Sequence, residues 1–284
     1  MKGYLIVNSF LINERFKVLY EMLVKAFALE QIELKLVTND KIIACINDNI
    51  KLDCDFIIFW DKDILLAKLL EQNGYKLFNS SDTIAICDDK GLTAITLKDV
   101  VPMPKTILLP FTFDKVGYTD LSFIDNLEFE YPVILKTNKG SFGTGVFLVD
   151  NKEKLKRIIK ENEQLPMLLQ EYIKESYGVD IRVMVVFNKA IGAVKRINEH
   201  DFRSNVLKGG KMVPYELDDN LRSLVEKVSK KLNLSFGSVD FLISKQGYLL
   251  CEVNSNAHFK TFSNCTGVDF ALSLAKAIKN LLDK

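Results

Sequence analysis

Two apolar strand patterns near the C-terminus are separated by one short turn, and this arrangement constrains the fold more than any other feature. Residues 238–243 form the first pattern and residues 248–254 the second. The predicted three-residue hairpin loop begins at Lys245 and ends at Gly247, which suits the left-handed position of such a loop. Such a loop would pair Ser244 with Tyr248 and join the strands as an antiparallel hairpin.

The predicted hairpin brings three oxygen-bearing side chains to one face. Counting back from the turn, Asp240 lies opposite Glu252, and Asn254 shares the face of Glu252 because side chains alternate along a strand. Two carboxylates and an amide are the ligands of a hard cation such as Mg²⁺, with Mn²⁺ as an alternative. The set therefore predicts a metal site for nucleotide chemistry, while a purely structural role of these acidic residues is the other interpretation.

Length and composition limit the class of protein. A chain of 284 residues with 48% hydrophobic and 26% charged residues is typical of a soluble protein of two or three small domains. The net charge of +1 gives no general case for a nucleic-acid partner. Five cysteines without Cys-x-x-Cys spacing favour reduced thiols. No signal sequence or bilayer-spanning run is visible, so we expect a cytoplasmic protein without a membrane partner.

The first 85 residues or so alternate strand and helix patterns. The run at residues 56–60 is apolar throughout, which is typical of a strand buried on both faces of a parallel sheet. The pattern predicts a small α/β layer. Its predicted strands are at residues 3–7, 32–37, 56–60 and 77–79, and its predicted helices are at residues 14–28 and 64–72. A further helix is predicted at residues 83–97.

A glycine-rich loop at residues 138–145 follows the predicted strand 133–137, which carries Lys136. Its three glycines in six residues let backbone N–H groups approach phosphate oxygens. The loop is not a P-loop, because no Gly-Lys-Ser/Thr closes it into a helix. It is not a dinucleotide fingerprint either, because it lacks the third glycine of that motif and leads into a strand. A flexible hairpin without a ligand is one interpretation, and a phosphate-covering lid beside Lys136 is the one we favour.

The last third of the chain concentrates charge on patterns typical of antiparallel strands. Asp180 and Arg182 share one strand face, and Lys195-Arg196 and residues 201–205 follow. This group indicates a pocket for carboxylate or phosphate, because the planar guanidinium can bind two oxygens at once; a solvated charged face is the alternative. The two histidines, His200 and His258, are not at metal-ligand spacing, so we interpret both as structural.

Taken in chain order, these stretches resemble the RimK-type branch of the ATP-grasp superfamily. The resemblance covers nearly the whole chain from about residue 79, and its most specific elements are the strings Asp-Phe-Arg-Ser-Asn and Glu-x-Asn in this order. The matching stretches are Asp89-Lys90, residues 133–136, 140–146, 170–174, 180–182 and 201–205, Gly209-Gly210, Val239-Asp240 and residues 252–254.

The resemblance implies the ATP-grasp fold, which is α/β in its first part and α+β over the whole chain. The expected units are an N-terminal α/β domain at residues 1–86, a small lid domain at 87–173 and a larger C-terminal domain with the metal site at 174–284. ATP would be held between the last two. The implied reaction couples a carboxylate to an amine through an acylphosphate and releases ADP and phosphate.

The resemblance also implies roles for individual residues. The residues implied in nucleotide binding are Lys90, Lys136, Gly140, Ser141, Phe142, Gly143, Gly145, Glu171, Tyr172, Ile173, Asp180 and Ser204. Asp240, Glu252 and Asn254 are the implied metal ligands. The residues implied in catalysis are Arg203 and Asn205, at the transferred phosphoryl group, and Arg182 and Arg196, at substrate carboxylates. No side chain has to act as a nucleophile, which agrees with the lack of any Ser-His-Asp or Cys-His pattern.

The segment after Asn254 departs from the members that modify a ribosomal protein. Those tend to continue with Pro-Gly, whereas residues 255–260 here read Ser-Asn-Ala-His-Phe-Lys. This ending is more similar to the branch that acts on amino groups of small molecules, and His258 and Lys260 are candidates for lining the acceptor pocket. We therefore expect a ligase with a small-molecule or peptide carboxylate and an amine-bearing acceptor. A ligase for ribosomally made peptides or proteins, a non-catalytic nucleotide-binding regulator and a homo-oligomeric assembly stay open.

Overall fold

The computed structural model describes residues 1–43, 45–113, 115–140, 143–204 and 209–283. The strands within these ranges form three sheets, which follow one another along the chain. No helix of the described residues combines the length and the apolar character needed to cross a lipid bilayer.

The first sheet is parallel, as the sequence predicts, with the strand order β2-β1-β3-β4. Every residue of β3 is buried, because apolar clusters cover both faces of the sheet. Its elements are β1 (Lys2–Val7), α1 (Glu14–Leu29), β2 (Glu33–Thr38), β3 (Phe56–Trp60), α2 (Ile64–Gln72) and β4 (Leu77–Phe78).

The stretch predicted as helical at residues 83–97 is helical except at Asp89, which divides it into two helices. They are α3 (Ser81–Asp88) and α4 (Lys90–Leu97), and Asp89 between them has an extended backbone. The Asp89 side chain caps α4 by accepting hydrogen bonds from the backbone N–H groups of Gly91 and Leu92. The break makes Lys90 the first residue of α4, where its backbone N–H donates to the carbonyl of Asn138 at 3.0 Å.

The second sheet is antiparallel, with the order β5-β8-β6-β7. Its elements are β5 (Thr106–Leu108), β6 (Val133–Thr137), β7 (Val146–Val149), α5 (Lys152–Glu161) and β8 (Met167–Glu171). Leu155, Ile158 and Ile159 of α5 pack on one face of the sheet. The glycine-rich loop connects β6 to β7, so it lies at the edge of this small unit.

The third sheet is antiparallel, with the order β11-β10-β9-β12-β13. Val225 and Val228 of its helix α6 pack on one face together with Val183 of β9. The other face shares a core with the first sheet, where the rings of Trp60 and Phe236 stack at 5.0 Å. Its elements are β9 (Val179–Val186), β10 (Lys189–Ile197), β11 (Lys211–Tyr215), α6 (Asp219–Leu232), β12 (Phe236–Ser244), β13 (Gly247–Asn254), α7 (Lys260–Thr266) and α8 (Phe270–Leu282).

The predicted three-residue turn of the last hairpin is wrong, but the predicted facing pair is confirmed. Ser244 pairs with Gly247 rather than with Tyr248, so the turn is one residue shorter than expected. A bulge then inserts Cys251 into β13. The one-residue shift and the one-residue bulge cancel, and Asp240 lies directly opposite Glu252.

Candidate active site

A buried ionic network lies on the face of the third sheet that carries Asp240. Asp240 is completely buried, and its oxygens accept from Arg182 Nε at 2.8 Å and Nη2 at 2.6 Å and from Arg196 Nη2 at 2.8 Å. Arg196 Nε and Nη2 also donate to the carboxylate of Asp180, and Ser204 Oγ donates to the Asp180 carboxylate at 2.5 Å. Burial favours the neutral acid, but the two guanidinium groups outweigh it and lower the pKa of Asp240 to about 2. Both arginines are therefore fixed by carboxylates.

Glu252 and Asn254 lie at the open side of this network. The Glu252 side chain is 35% exposed, and it accepts a hydrogen bond from Asn254 Nδ2 at 3.2 Å. Glu252 lies opposite Asp240 in the hairpin, so two carboxylates and the amide of Asn254 share this place. The donor set fits Mg²⁺.

The nucleotide would have to complete any such cation site. Among the described residues, no three His, Cys, Asp or Glu side chains come together as a metal site. A cation at Glu252 would thus need the amide of Asn254 and ligand oxygens from a phosphate as well. The arginines already occupy three acceptor positions of Asp240. The role of Asp240 as a direct ligand stays a prediction.

Two lysines face this carboxylate pair from the other units of the fold. Lys90 Nζ lies 3.3 Å from the carbonyl oxygen of Gly140, and burial lowers the pKa of Lys90 although the charge of Glu252 opposes this shift. Lys136 is buried on β6, and its Nζ donates to Gln170 Oε1 at 2.7 Å. Contact of these two lysines with phosphate oxygens stays a prediction.

The glycine-rich loop is held close to the third sheet. Arg203 Nη1 donates to the carbonyl of Gly143 at 3.0 Å, and its Nη2 binds Asp201 at 2.6 Å. Gly143 and Gly145 have φ angles of 73° and 69°, in the left-handed region that glycine adopts without strain. Ser141, Phe142 and Asn205, which the sequence also predicts as site residues, lie outside the described residues.

Three neighbouring cavities meet at Lys90 and Glu252, which line all of them. The first, of about 140 Å³, runs between the second and third sheets and has Glu171, Tyr172 and Ile173 in its wall. The other predicted site residues that line it are Lys136, Gly143, Asp180, Arg196, Arg203 and Ser204. A small second cavity adds Gly140 and Asn254. The third, of about 510 Å³, extends from Glu252 to α1 of the N-terminal unit.

We expect Gly145→Ala to weaken nucleotide binding by at least tenfold. A Cβ at Gly145 would lie 2.0 Å from Oγ1 of Thr137, the last residue of the strand that carries Lys136, so the loop must shift. Each protein is titrated with ATP in the presence of Mg²⁺, and the shift of its thermal unfolding temperature measures the nucleotide affinity. Gly74→Ala is the matched control. Its φ of +86° imposes the same kind of backbone strain on alanine, but nothing lies within 4 Å of the new Cβ, so there is no steric clash. Equal nucleotide affinity in the two variants would contradict the loop's role.

Sequence reasoning missed several residues of these walls. The sequence indicates Gln170 only as part of the matching stretch 170–174. In the structure its Oε1 accepts a hydrogen bond from Lys136, and its Nε2 donates to Thr106 Oγ1 at 2.9 Å. Its position on β8 opposite β6 was the available signal. Asn8, Arg15 and Asp61 of the N-terminal unit also line the large cavity. No local pattern indicated this, because their placement depends on how the first and third sheets pack together.

Comparison with known proteins gives a family match that covers most of the chain. The family described as "RimK-like ATP-grasp domain" matches residues 88–278. The uncharacterized protein MG012 of Mycoplasma genitalium is 38% identical over 229 residues, which are 78% of this chain and 79% of that protein. N-acetylaspartylglutamate synthase A of Mus musculus is 34% identical over 228 residues, which are 78% of this chain and 58% of the synthase.

The fold comparison agrees with the sequence expectation. The crystal structure of a RimK domain ATP-grasp protein from Sphaerobacter thermophilus superposes with a TM-score of 0.74 over 98% of this chain and 100% of that one, at 20% sequence identity. The predicted ATP-grasp fold and the resemblance on which it rested are both confirmed.

Proposed function

Since the chain belongs to the RimK-like ATP-grasp family, we propose that it is an ATP- and Mg²⁺-dependent ligase that couples a carboxylate to an amine. The observation that carries the proposal is the meeting of the cleft between the second and third sheets and the large cavity at Lys90 and Glu252. A phosphate placed there would be in reach of a second molecule in the large cavity. Such proximity is what a phosphoryl transfer between two bound substrates requires.

In the first step, an oxygen of the substrate carboxylate attacks the γ-phosphorus of ATP. The bond between this phosphorus and the ADP oxygen breaks, which gives an acylphosphate and ADP. Lys90, Lys136 and Arg203 would stabilise the phosphate charge, and Glu252 with Asn254 would hold Mg²⁺ or Mn²⁺ beside Asp240; the contacts of the three cations with residues around the cleft support this role. The metal, when bound, neutralises the phosphate oxygens.

In the second step, the amine attacks the acyl carbon of the acylphosphate. The carbon–oxygen bond to phosphate breaks, inorganic phosphate leaves, and the nitrogen loses a proton to form the amide. Arg182 and Arg196 line the large cavity and are rigidly held by Asp240, so they can orient a carboxylate or the acylphosphate oxygens without ordering cost. No protein nucleophile takes part.

The other end of the cleft fits a nucleoside. Glu171, Tyr172 and Ile173 form its wall at the end of β8, where the chain passes from the second to the third sheet. Within the described residues, Arg196 and Ser204 use three of the roughly four acceptor positions of Asp180. One position on Oδ1 remains for a ribose hydroxyl, which is the role that we propose for Asp180.

The proposal is tested by following nucleotide products of the purified protein with ATP and Mg²⁺. Pools of amino acids and of small carboxylates are added together and separately. We expect ADP release that requires both pools, with no AMP, and a condensation product with a new amide bond in mass spectrometry. Splitting the active pools would then identify both substrates.

Two outcomes would contradict the proposal. Release of AMP would exclude the acylphosphate route, because that route breaks the bond to the γ-phosphate. Binding of ATP with no turnover in any pool, also after addition of peptides, would instead indicate a nucleotide-binding regulator. Turnover only with peptides would indicate that the acceptor is a ribosomally made peptide or protein.

A further inference from the structure

A buried amide of the N-terminal unit holds the open end of the hairpin formed by β12 and β13. Asn79 directly follows β4 and is completely buried. Its Oδ1 accepts hydrogen bonds from the backbone N–H groups of Ser235 at 2.8 Å and Phe236 at 3.2 Å. Its Nδ2 donates to the carbonyl oxygens of Phe236 at 2.9 Å and Ser255 at 3.2 Å. Because β12 begins at Phe236 and β13 ends just before Ser255, one side chain contacts the start and the end of this hairpin.

Asparagine is the side chain that fits these four backbone groups. A backbone N–H can only donate and a carbonyl oxygen can only accept, so the partners fix the orientation of the amide of Asn79. A primary amide offers two acceptor positions and two donor hydrogens, and all four are used here. An aspartate would have the same shape and keep the acceptors, but it would lack both donors. The contact therefore depends on the amide group and not only on the size of the side chain.

The hairpin end that Asn79 holds carries two of the proposed metal ligands. Ser255 directly follows Asn254, whose Nδ2 donates to Glu252 Oε1. β13 is the outermost strand of the third sheet, and the last pair of its ladder with β12 joins Ser238 to Asn254. The hydrogen bond from Asn79 to Ser255 lies one residue beyond this last pair. It therefore restrains the backbone next to a proposed ligand at the point where the strand pairing ends.

Two further contacts restrain the same backbone. Asn256 Nδ2 donates at 2.9 Å to the carbonyl oxygen of Asp61, which directly follows β3 in the N-terminal unit. Gly237 of β12 lies close to Asn254, since a Cβ there would be 2.3 Å from the carbonyl oxygen of Asn254. The residues on the C-terminal side of Asn254 are thus held by the N-terminal unit, and Asn254 itself is held by β12.

We propose that Asn79 is a positioning residue of the metal site and that Asn256 supports it. This inference rests on the proposed function, in which Glu252 and Asn254 hold the cation. Among the described residues that line the three cavities, Asn79 does not occur, so it acts through the backbone of Ser255 and not by contact with the nucleotide. Loss of a residue that supports a metal ligand lowers metal affinity by about 10- to 100-fold.

The test measures cation affinity rather than turnover. Mn²⁺, which takes the same oxygen ligands as Mg²⁺, is titrated into the protein saturated with ADP, and electron paramagnetic resonance reports the free Mn²⁺. We expect Asn79→Asp to weaken Mn²⁺ binding by about 10-fold or more. An added negative charge by itself would strengthen cation binding, so a loss reports the missing donors. ADP affinity without a divalent cation should change by less than about twofold, because the nucleotide contacts are unchanged.

A second variant keeps the test decisive if Asn79→Asp does not fold, which circular dichroism under the titration conditions shows. Asn256→Ala removes the hydrogen bond to Asp61 at a position that is only half-buried. We expect it to weaken Mn²⁺ binding by up to about 10-fold, the lower end of the same range.

Thr83→Val is the matched control. Thr83 is buried on α3, and its Oγ1 donates at 2.8 Å to the carbonyl oxygen of Leu232, the last residue of α6. This hydrogen bond also joins the N-terminal unit to the unit of the third sheet, but at α6 and not at β13. Valine keeps the shape of the side chain and removes the hydrogen bond. We expect a lower unfolding temperature with wild-type Mn²⁺ affinity, which separates loss of positioning from loss of stability.

Two results would overturn the inference: wild-type Mn²⁺ affinity in the folded Asn79 and Asn256 variants, or an equal loss of affinity in Thr83→Val. Glu252→Gln, titrated in the same way, identifies a failure of the proposed function. If Glu252→Gln also has wild-type Mn²⁺ affinity, the proposed metal site is wrong and the inference falls with it. If Glu252→Gln alone loses affinity, the proposed metal site stands and only the positioning role of Asn79 is wrong.

Discussion

Replacing Arg196 by Met is expected to destabilise the protein by about 3–5 kcal/mol, the cost of leaving a buried charge without its partner. Arg196 binds both Asp180 and Asp240, and all three residues are buried. Without Arg196, and within the described residues, Asp180 keeps only the hydroxyl of Ser204 and Asp240 keeps only the guanidinium of Arg182. Chemical denaturation followed by circular dichroism measures the loss.

A double variant separates the pairing from the volume of the side chain. Adding Asp180→Leu to Arg196→Met removes both partners, and we expect it to recover part of the lost stability, because apolar side chains of similar size can replace a buried ion pair. Arg157→Met is the matched control, since the side chain of Arg157 on α5 is 67% exposed and its loss should change stability by less than about 0.5 kcal/mol. A loss below about 1 kcal/mol in Arg196→Met would show that the network does not hold the sheet together.

The facing of Asp240 and Glu252 could be predicted from sequence, although for the wrong reason. The alternation of apolar residues identified both strands and their antiparallel pairing, but not the length of the turn or the bulge at Cys251. Neither feature changes the apolar pattern. The pair Asp240 and Glu252 faces each other in a hairpin with a two-residue turn and a bulge, and equally in a hairpin with a three-residue turn and no bulge. Only the backbone hydrogen bonds distinguish them.

The break at Asp89 shows a local signal that the helical pattern concealed. The sequence of residues 83–97 predicts a helical stretch without indicating where it is interrupted. The capping capacity of Asp89 interrupts the stretch and starts a new helix at Lys90. The position of Lys90 beside Gly140 follows from this new start.

The position of the N-terminal unit against the third sheet could not be predicted, because it depends on contacts between distant parts of the chain. Trp60 and Phe236 are 176 positions apart in sequence (236 − 60), and their stacking helps to fix the first sheet against the third. This packing brings α1 to the cavity. Apolar periodicity predicts which face of an element is buried, but not which distant element covers it.

Glu252→Gln is expected to reduce ADP release by about 100-fold or more while leaving the fold intact. The substitution keeps the shape of the side chain but removes the charge at the point where all three cavities meet. Loss of residues that only support metal ligands costs about 10- to 100-fold, so loss of a direct ligand should cost at least as much. The decline should be partly reversed by raising the Mg²⁺ concentration, because the defect is in cation binding.

The measurement is ADP release over a range of Mg²⁺ concentrations, with thermal unfolding of each variant to verify folding. Glu216→Gln is the control, since Glu216 is exposed between β11 and α6 and lines none of the three cavities. Wild-type turnover in Glu252→Gln would exclude Glu252 as a metal ligand. Asp240 could not readily replace it, because Arg182 and Arg196 already occupy its oxygens and hold it away from solvent.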